Sequence, residues 1–337
     1  PPPPPPPPPP KPFFLMIRRP PRSTRCTSRR QRQMCIRDST LLTDRPDSVR
    51  PWDELNETEK TVYTRLMEVY AGFAEHTDAQ VMRLIETLED LGEFENTLFI
   101  YIAGDNGASA EGGLDGTYNE LMALNGIPQD LEDVVPRLDD LGGPQAFNHY
   151  PVGWAHAMNS PYQWTKQVAS HFGGTRNGCA ASWPKGIEAR GEIRHQFHHV
   201  IDVVPTILEA AGLPQPYMVN GIAQKPIEGV SMAYTFDDPD AEEQRVTQYF
   251  EMFGNRGIYH DGWTAVTRHS TPWLLAEMPS FAEDEWELYD TNTDWSQAND
   301  LSKEMPEKLR ELQDLFLVEA AKYNVFPLDD RLSLIHI

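Results

Sequence analysis

Residues 97–113 read TLFIYIAGDNGASAEGG, and this stretch decides the fold. Leu98, Phe99, Ile100, Tyr101, Ile102 and Ala103 form an unbroken apolar run. A strand with one wet face would alternate with polar residues, so the run predicts a strand buried on both faces. It stops at Gly104-Asp105-Asn106-Gly107, a turn that sets a carboxylate beside an amide at the strand's C-terminal edge. Ligands of open α/β sheets bind at that edge. Asp105 and Asn106 are therefore candidates for half of a metal site, although Asp-Asn-Gly in isolation ordinarily means a turn.

Upstream, residues 57–91 show helical spacing. Val62, Leu66, Val69, Tyr70 and Phe73 make one stripe, continued by Val81, Leu84, Ile85, Leu88 and Leu91, and Gly92 supplies the stop. A helix followed by an apolar strand predicts a parallel α/β sheet. Downstream, residues 107–159 form a long segment rich in Gly, Pro and acids. Segments of that length inside a compact domain are usually functional. Tyr118, Phe147, Tyr150 and Trp154 suggest a packed rim, while the acidic middle, residues 129–140, reads more like an insertion without order.

A short helix is expected over 161–170, broken by Gly173-Gly174, and a second strand over 178–183, stopped by Pro184. Residues 199–211 are amphipathic, with Ile201, Val204, Ile207, Leu208 and Ala211 on one side. Asp202 is placed to cap that helix and Pro205 to sit in its first turn. After Gly229 the segments 245–253, 256–259, 264–267 and 286–289 read as short strands, and 306–323 as a helix with Leu309, Leu312, Leu315 and Phe316 inward. Together they predict a small α+β subdomain.

The ends differ in kind from this interior. Ten prolines open the chain, and residues 1–39 carry nine basic residues and one acid, a net of +8. Residues 34–39, MCIRDS, can be encoded by ATG TGT ATA AGA GAC AGx, and residues 332–337, LSLIHI, by CTG TCT CTT ATA CAC ATC. These are nearly complementary strands of one DNA that resembles a sequencing-library transposon end. Residues 16–25, MIRRPPRSTR, likewise resemble a translated adaptor. The expectation is a non-native, disordered leader (1–39), a main domain (40–235), a C-terminal subdomain (236–331) and a non-native tail (332–337).

With the formal net charge at −22, removing the +8 leader leaves −30 on the rest, which argues against nucleic acid as a partner. Among three cysteines, Cys26 and Cys35 fall in the leader, so Cys179 stands alone and a disulfide framework or cysteine zinc site is excluded. No run of 18 apolar residues exists, so no membrane-spanning helix is expected.

Four ordered blocks carry a family resemblance. They are Glu75-His76-Thr77-Asp78 with the 97–107 strand and turn; His171-Phe172-Gly173-Gly174-Thr175-Arg176 leading to Trp183-Pro184-Lys185-Gly186-Ile187; Asp202-Val203-Val204-Pro205-Thr206-Ile207-Leu208 with Ala211-Gly212; and Trp286-Glu287-Leu288-Tyr289-Asp290. In this order they resemble the C-terminal part of a type I sulfatase, an arylsulfatase of the alkaline-phosphatase superfamily. The resemblance implies an α/β fold: part of an alkaline-phosphatase-like sandwich, a mixed sheet flanked by helices, plus a small α+β subdomain with a short antiparallel sheet and one helix.

It also implies hydrolysis of sulfate esters, small-molecule or glycan, at one bound Ca2+. Asp105 and Asn106 match the family's Asp-Asn calcium ligands, Lys166 its lysine on the sulfate and leaving oxygen, and His171 a weaker substrate contact. The family's nucleophile is a formylglycine made from the first residue of C/S-x-P-S-R by a formylglycine-generating enzyme or anaerobic maturase. No such motif occurs here, since Cys179 precedes Ala-Ala-Ser and Cys26 precedes Thr-Ser-Arg. The expectation is a fragment inactive as it stands, from a periplasmic or secreted enzyme. The alternatives are a phosphonate monoester or phosphodiester hydrolase of the same superfamily, or a non-catalytic sulfatase-like binding protein. His198-His199 at a helix start reads as packing, because adjacent helical residues do not face the same way.

Overall fold

A computed structural model describes residues 41–329, apart from Asp105, Gly126 and residues 275–278. The expected leader and tail, and Asp105 of the expected metal pair, lie outside the described residues. The architecture is mixed α/β, with antiparallel sheets and helices, in two compact units.

The first unit combines Arg50–Glu95 with Asp115–Pro151. Its axis is helix α1, Glu57–Asp90. Asn56 and Glu59 close a capping box at its start: Glu59 N donates to Asn56 Oδ1 at 2.9 Å, and Asn56 N donates to Glu59 Oε2 at 2.7 Å. Gly92, at φ 72°, ends it as expected. Val62 and Leu66 of the first stripe are buried and Phe73 at its end is exposed; in the continued stripe Ile85 is buried, whereas Leu84 and Leu91 are exposed. The burial of the first stripe follows from where this unit's partners fall. Leu66 lies against Gly116, Val69 against Gly142 and Tyr70 against Tyr150, all on the N-terminal half of α1.

The acidic middle of the long segment is ordered, contrary to expectation. It holds α2 (Glu120–Leu124), α3 (Leu131–Val134) and a 3-10 turn over Val135–Asp140. Asp130 caps α3 by accepting from Glu132 N at 3.1 Å, and Val134 and Leu141 are buried. The acids serve as caps and surface while apolar residues between them pack.

The second unit takes in Leu41–Val49, Asn96–Leu114 and the chain from Val152 onward. Strand β1, Phe99–Ile102, pairs antiparallel with β2, Cys179–Ser182, with Phe99 opposite Ser182 and Ile102 opposite Cys179. Two expectations are corrected here. The pairing is antiparallel rather than parallel, and β1 is half-buried at all four positions while β2 is exposed at all four. Among the described residues this sheet has two strands, so the apolar run has no neighbour on its other edge.

Helix α4 (Val152–Asn159) follows, and α5 (Phe172–Thr175) forms a single turn at the Gly-Gly motif. Residues 161–170 are turns rather than a helix. Trp164 and Gln167 stand at φ 65° and 74°, which no helix accommodates.

Helix α6, Val203–Ala210, holds Pro205 in its first turn as expected. Asp202 does not cap it in the expected way. Its carboxylate turns inward to accept from Arg245 Nε at 2.8 and 3.0 Å, from Val230 N at 2.7 Å and from His199 N at 2.8 Å. A short hairpin, β3 (Met218–Val219) and β4 (Ile222–Ala223), comes next.

The C-terminal part matches the α+β expectation closely. Strands β5 (Thr247–Met252), β6 (Asn255–His260), β7 (Trp263–Thr267) and β8 (Trp286–Asp290) form an antiparallel meander. Helix α7, Pro306–Lys322, covers it. Ile258, Ala265 and Leu288 from the sheet close a core with Leu312, Phe316 and Ala320 from the helix.

Candidate functional site

The Gly104–Gly107 turn, the loop bearing Lys166 and the Gly173-Gly174 turn converge in the second unit. Lys166 N donates to Ala108 O at 3.0 Å, directly after the turn that carries Asn106. Gly107 and Gly173 approach so closely that a Cβ on Gly107 would lie 1.9 Å from Gly173 O. Gly107 also sits at φ 83°, so a side chain is excluded there twice over. A Cβ on Gly173 would meet Gln163 O at 2.0 Å and Trp164 O at 2.2 Å. Both are backbone atoms that cannot swing aside, which explains a glycine pair at this point.

Asn159, at the end of α4, ties the three segments. Its Nδ2 donates to Trp164 O at 3.0 Å and Gly173 O at 2.9 Å, and its Oδ1 accepts from Ala108 N at 3.1 Å. Asn177 adds a fourth tie by accepting from Gly107 N at 3.1 Å. Asn106 itself is exposed.

Lys166 is held between two non-glycine residues of positive φ. Such backbone persists only where surroundings over-determine it, and it concentrates at functional sites. The surroundings are visible. Trp164 stacks on Trp273, with centroids 6.3 Å apart, and lies beneath the Arg268 guanidinium at 4.8 Å. Asn255 Nδ2 donates to Gln167 O at 3.0 Å. The Lys166 ammonium donates to both oxygens of Glu111, each at 2.9 Å.

His171, expected as a weak substrate contact, is fully buried. Nε2 faces Glu287 Oε2 at 3.0 Å and Nδ1 faces Ser170 Oγ at 2.9 Å. With both ring nitrogens engaged inside the protein, this geometry supports a structural role. Glu287 also accepts from Tyr289 OH. Burial would raise the Glu287 carboxyl, but the hydrogen bond and charge of His171, the Tyr289 hydroxyl and the charge of Arg268 outweigh it and hold it below its ordinary value. Burial, the Glu287 charge and the bond to it push the Tyr289 hydroxyl well above the usual phenol range.

Sequence reasoning missed Glu111, Asn159 and Gln297. Gln297, at φ 58° and fully buried, accepts from Phe172 N at 2.7 Å, while its backbone carbonyl accepts from Gln163 Nε2 at 2.6 Å. None of the three stands in a motif, and single polar residues in loops carry no periodic signal.

A profile of the sulfatase family matches residues 21–213. The chain belongs to the sulfatase family. The match begins within the expected leader, at residue 21, and it spans the convergence of Gly107, Lys166 and Gly173. An uncharacterized sulfatase of Schizosaccharomyces pombe is 29% identical over 282 residues, covering 83% of this chain and 48% of that protein. The arylsulfatase of Klebsiella aerogenes is 31% identical over 176 residues, covering 52% of this chain and 35% of that protein. This sulfatase chain thus aligns with about half of one curated relative and about a third of the other. A solved putative sulfatase from Bacteroides fragilis superposes with a TM-score of 0.46 at 15% identity, over 83% of this chain and 46% of that one.

Calcium takes about six to eight oxygens, a carboxylate and an amide carbonyl being suitable donors. The chemistry of Asp105 and Asn106 fits that preference, but two residues do not complete the number. Among the described residues no group of three or more His, Cys, Asp or Glu could hold a metal.

Proposed function

We propose that this chain is the C-terminal part of a calcium-dependent arylsulfatase whose formylglycine nucleophile lies outside these residues. The observation that carries this is the convergence of Lys166 on the turn after β1, within a chain matched to the sulfatase family. In this reading Asp105 and Asn106 give two calcium ligands, and the rest come from residues not in this chain. When bound, the cation would position the nucleophile and polarise sulfate oxygens.

The role of this chain's own residues is to place one fixed positive charge. A preorganised ammonium aimed at a developing negative charge stabilises a transition state without reorganising. Lys166 meets that description because Ala108, Asn159 and Asn255 hold its loop from three sides. The substrate is a small-molecule or glycan sulfate ester, and the intact enzyme requires a formylglycine-forming maturase. A periplasmic or secreted setting fits the family reading, and no helix among the described residues is long and apolar enough to cross a membrane.

The test is the reading frame of the source gene upstream of Thr40, and the activity of its product. A C/S-x-P-S-R motif with aryl sulfate turnover that disappears in a Lys166→Ala variant is the expected result. Turnover of a phosphonate monoester or phosphodiester exceeding that of the sulfate would overturn it, as would a full frame with neither Cys nor Ser at the nucleophile position.

A further inference from the structure

We propose that Glu111 is a positioning residue for Lys166, holding its ammonium in a closed ion pair that an incoming anion must share. The proposal rests on reading Lys166 as the contact for an anionic ester.

The Glu111 carboxylate is built into a cage of donors. It receives two bonds of 2.9 Å from Lys166 Nζ, one of 3.2 Å from Gln167 Nε2 and one of 2.7 Å from Ser109 Oγ. Ser109 Oγ in turn accepts from Glu111 N at 3.3 Å, which fixes the backbone from which the carboxylate projects. The loop placing Lys166 is fixed independently, through its own N–H to Ala108 O. Both partners of the pair are therefore anchored at the backbone, and the flexible lysine stem is stretched between two rigid points.

Both ends are also partly open. The side chains of Lys166 and Glu111 are 26% and 22% exposed. An anion can reach the ammonium without the loop unfolding, and it meets a carboxylate already there. A free lysine would lose rotamer freedom on binding an anion. Glu111 removes that loss beforehand, and it opposes the anion by like charge. Charge-assisted bonds of this kind are the strong ones, and a lysine ammonium has three donors. Two can stay on Glu111 while the third turns to a ligand oxygen.

The experiment uses the full 337-residue chain and its E111Q and E111D variants, reading acetic anhydride labelling of each lysine by mass spectrometry. E111Q is expected to raise the labelling rate of Lys166 roughly tenfold, in keeping with the loss of a charged hydrogen-bond partner. The other lysines should be unchanged. E111D, which keeps the charge, is expected to restore slow labelling. Equal Lys166 rates in the parent and E111Q, with matching circular dichroism melts, would overturn the proposal. If E111Q melts early, the comparison of E111D with the parent decides: fast labelling in a stable E111D also overturns it. A separate arm adds inorganic sulfate and asks whether it slows Lys166 labelling in E111Q. Failure of that arm alone counts against the sulfate-ester reading, and the Glu111 pairing stands or falls on the labelling rates.

Discussion

His171 Nε2 lies 3.0 Å from Glu287 Oε2, although the two residues are 116 positions apart. The bond fastens the Gly-Gly turn beside the Lys166 loop to β8 of the C-terminal meander. Gln297 adds a second fastening through Phe172 N, so the loop that holds the candidate lysine is braced from the far end of the chain.

The first prediction concerns acid. Glu287 titrates below its ordinary value of 4.5 in the folded protein. A carboxyl lowered on folding contributes stability that is complete above its unfolded value and is lost as pH falls through the folded one. Unfolding free energy from urea melts should therefore drop below about pH 4.5. In Glu287→Gln that part of the drop should be missing. An unchanged acid slope in the variant would show that the His171 bond does not favour the ionised form.

The second prediction separates two kinds of glycine. Gly173→Ala puts a methyl into backbone oxygens, and Gly107→Ala does the same at positive φ, so each should destabilise by about 3 kcal/mol or more. Gly72, inside α1, has nothing within 4 Å of where a Cβ would stand. Gly72→Ala should stabilise by about 0.5–1 kcal/mol. Thermal melts of the three variants in one buffer check the order.

How far the sequence led can be judged from particular elements. The C-terminal meander and α7 were legible, because short runs of β-formers separated by turn residues and the Leu309–Leu312–Phe316 stripe are local patterns that meet in one core. Helix α1 was legible for the same reason. The apolar run at 98–103 was legible as a strand but not in its pairing, since direction is fixed by a partner strand about 80 residues away. Lys166 is a candidate only through the resemblance, and its ion-pair partner Glu111 carries no signal in the sequence. The pairing depends on a loop with two positive-φ residues, and no periodicity encodes that. Asp202 looked like a helix cap and proved to be a buried anchor, because Arg245 lies far along the chain.

The third prediction follows from that anchor. Asp202 is fully buried and Arg245 nearly so, with Glu228 O and Gln248 Oε1 taking two further guanidinium donors at 3.2 and 3.1 Å. Burial alone would raise Asp202, but nearby His198, the Arg245 guanidinium and the N–H groups of Val230 and His199 hold it far below the usual carboxylate range. Removing one partner leaves an uncompensated buried charge, so Arg245→Met should cost about 3–5 kcal/mol. Asp202→Asn combined with Arg245→Met should cost clearly less than the sum of the two single changes. Additive costs in a double-mutant cycle would mean that the pair is not coupled.

The last prediction is for calcium. Affinity at an oxygen site rises with the number and charge of ligands and with the rigidity of the site. Among the described residues no cluster of carboxylates or histidines surrounds the turn after β1, and Asn106 is exposed there. Asp105 and Asn106 alone offer one charge and too few oxygens to replace the hydration shell of the ion. A calorimetric titration of the whole chain with calcium should therefore give millimolar affinity or no heat, and Asp105→Ala should leave the melting temperature unchanged in its presence. Micromolar binding, lost in Asp105→Ala, would mean that other oxygens of this chain complete the shell. The search for those ligands would then move to the acids of the 107–115 loop, with Glu111 first because its carboxylate already stands on the same loop.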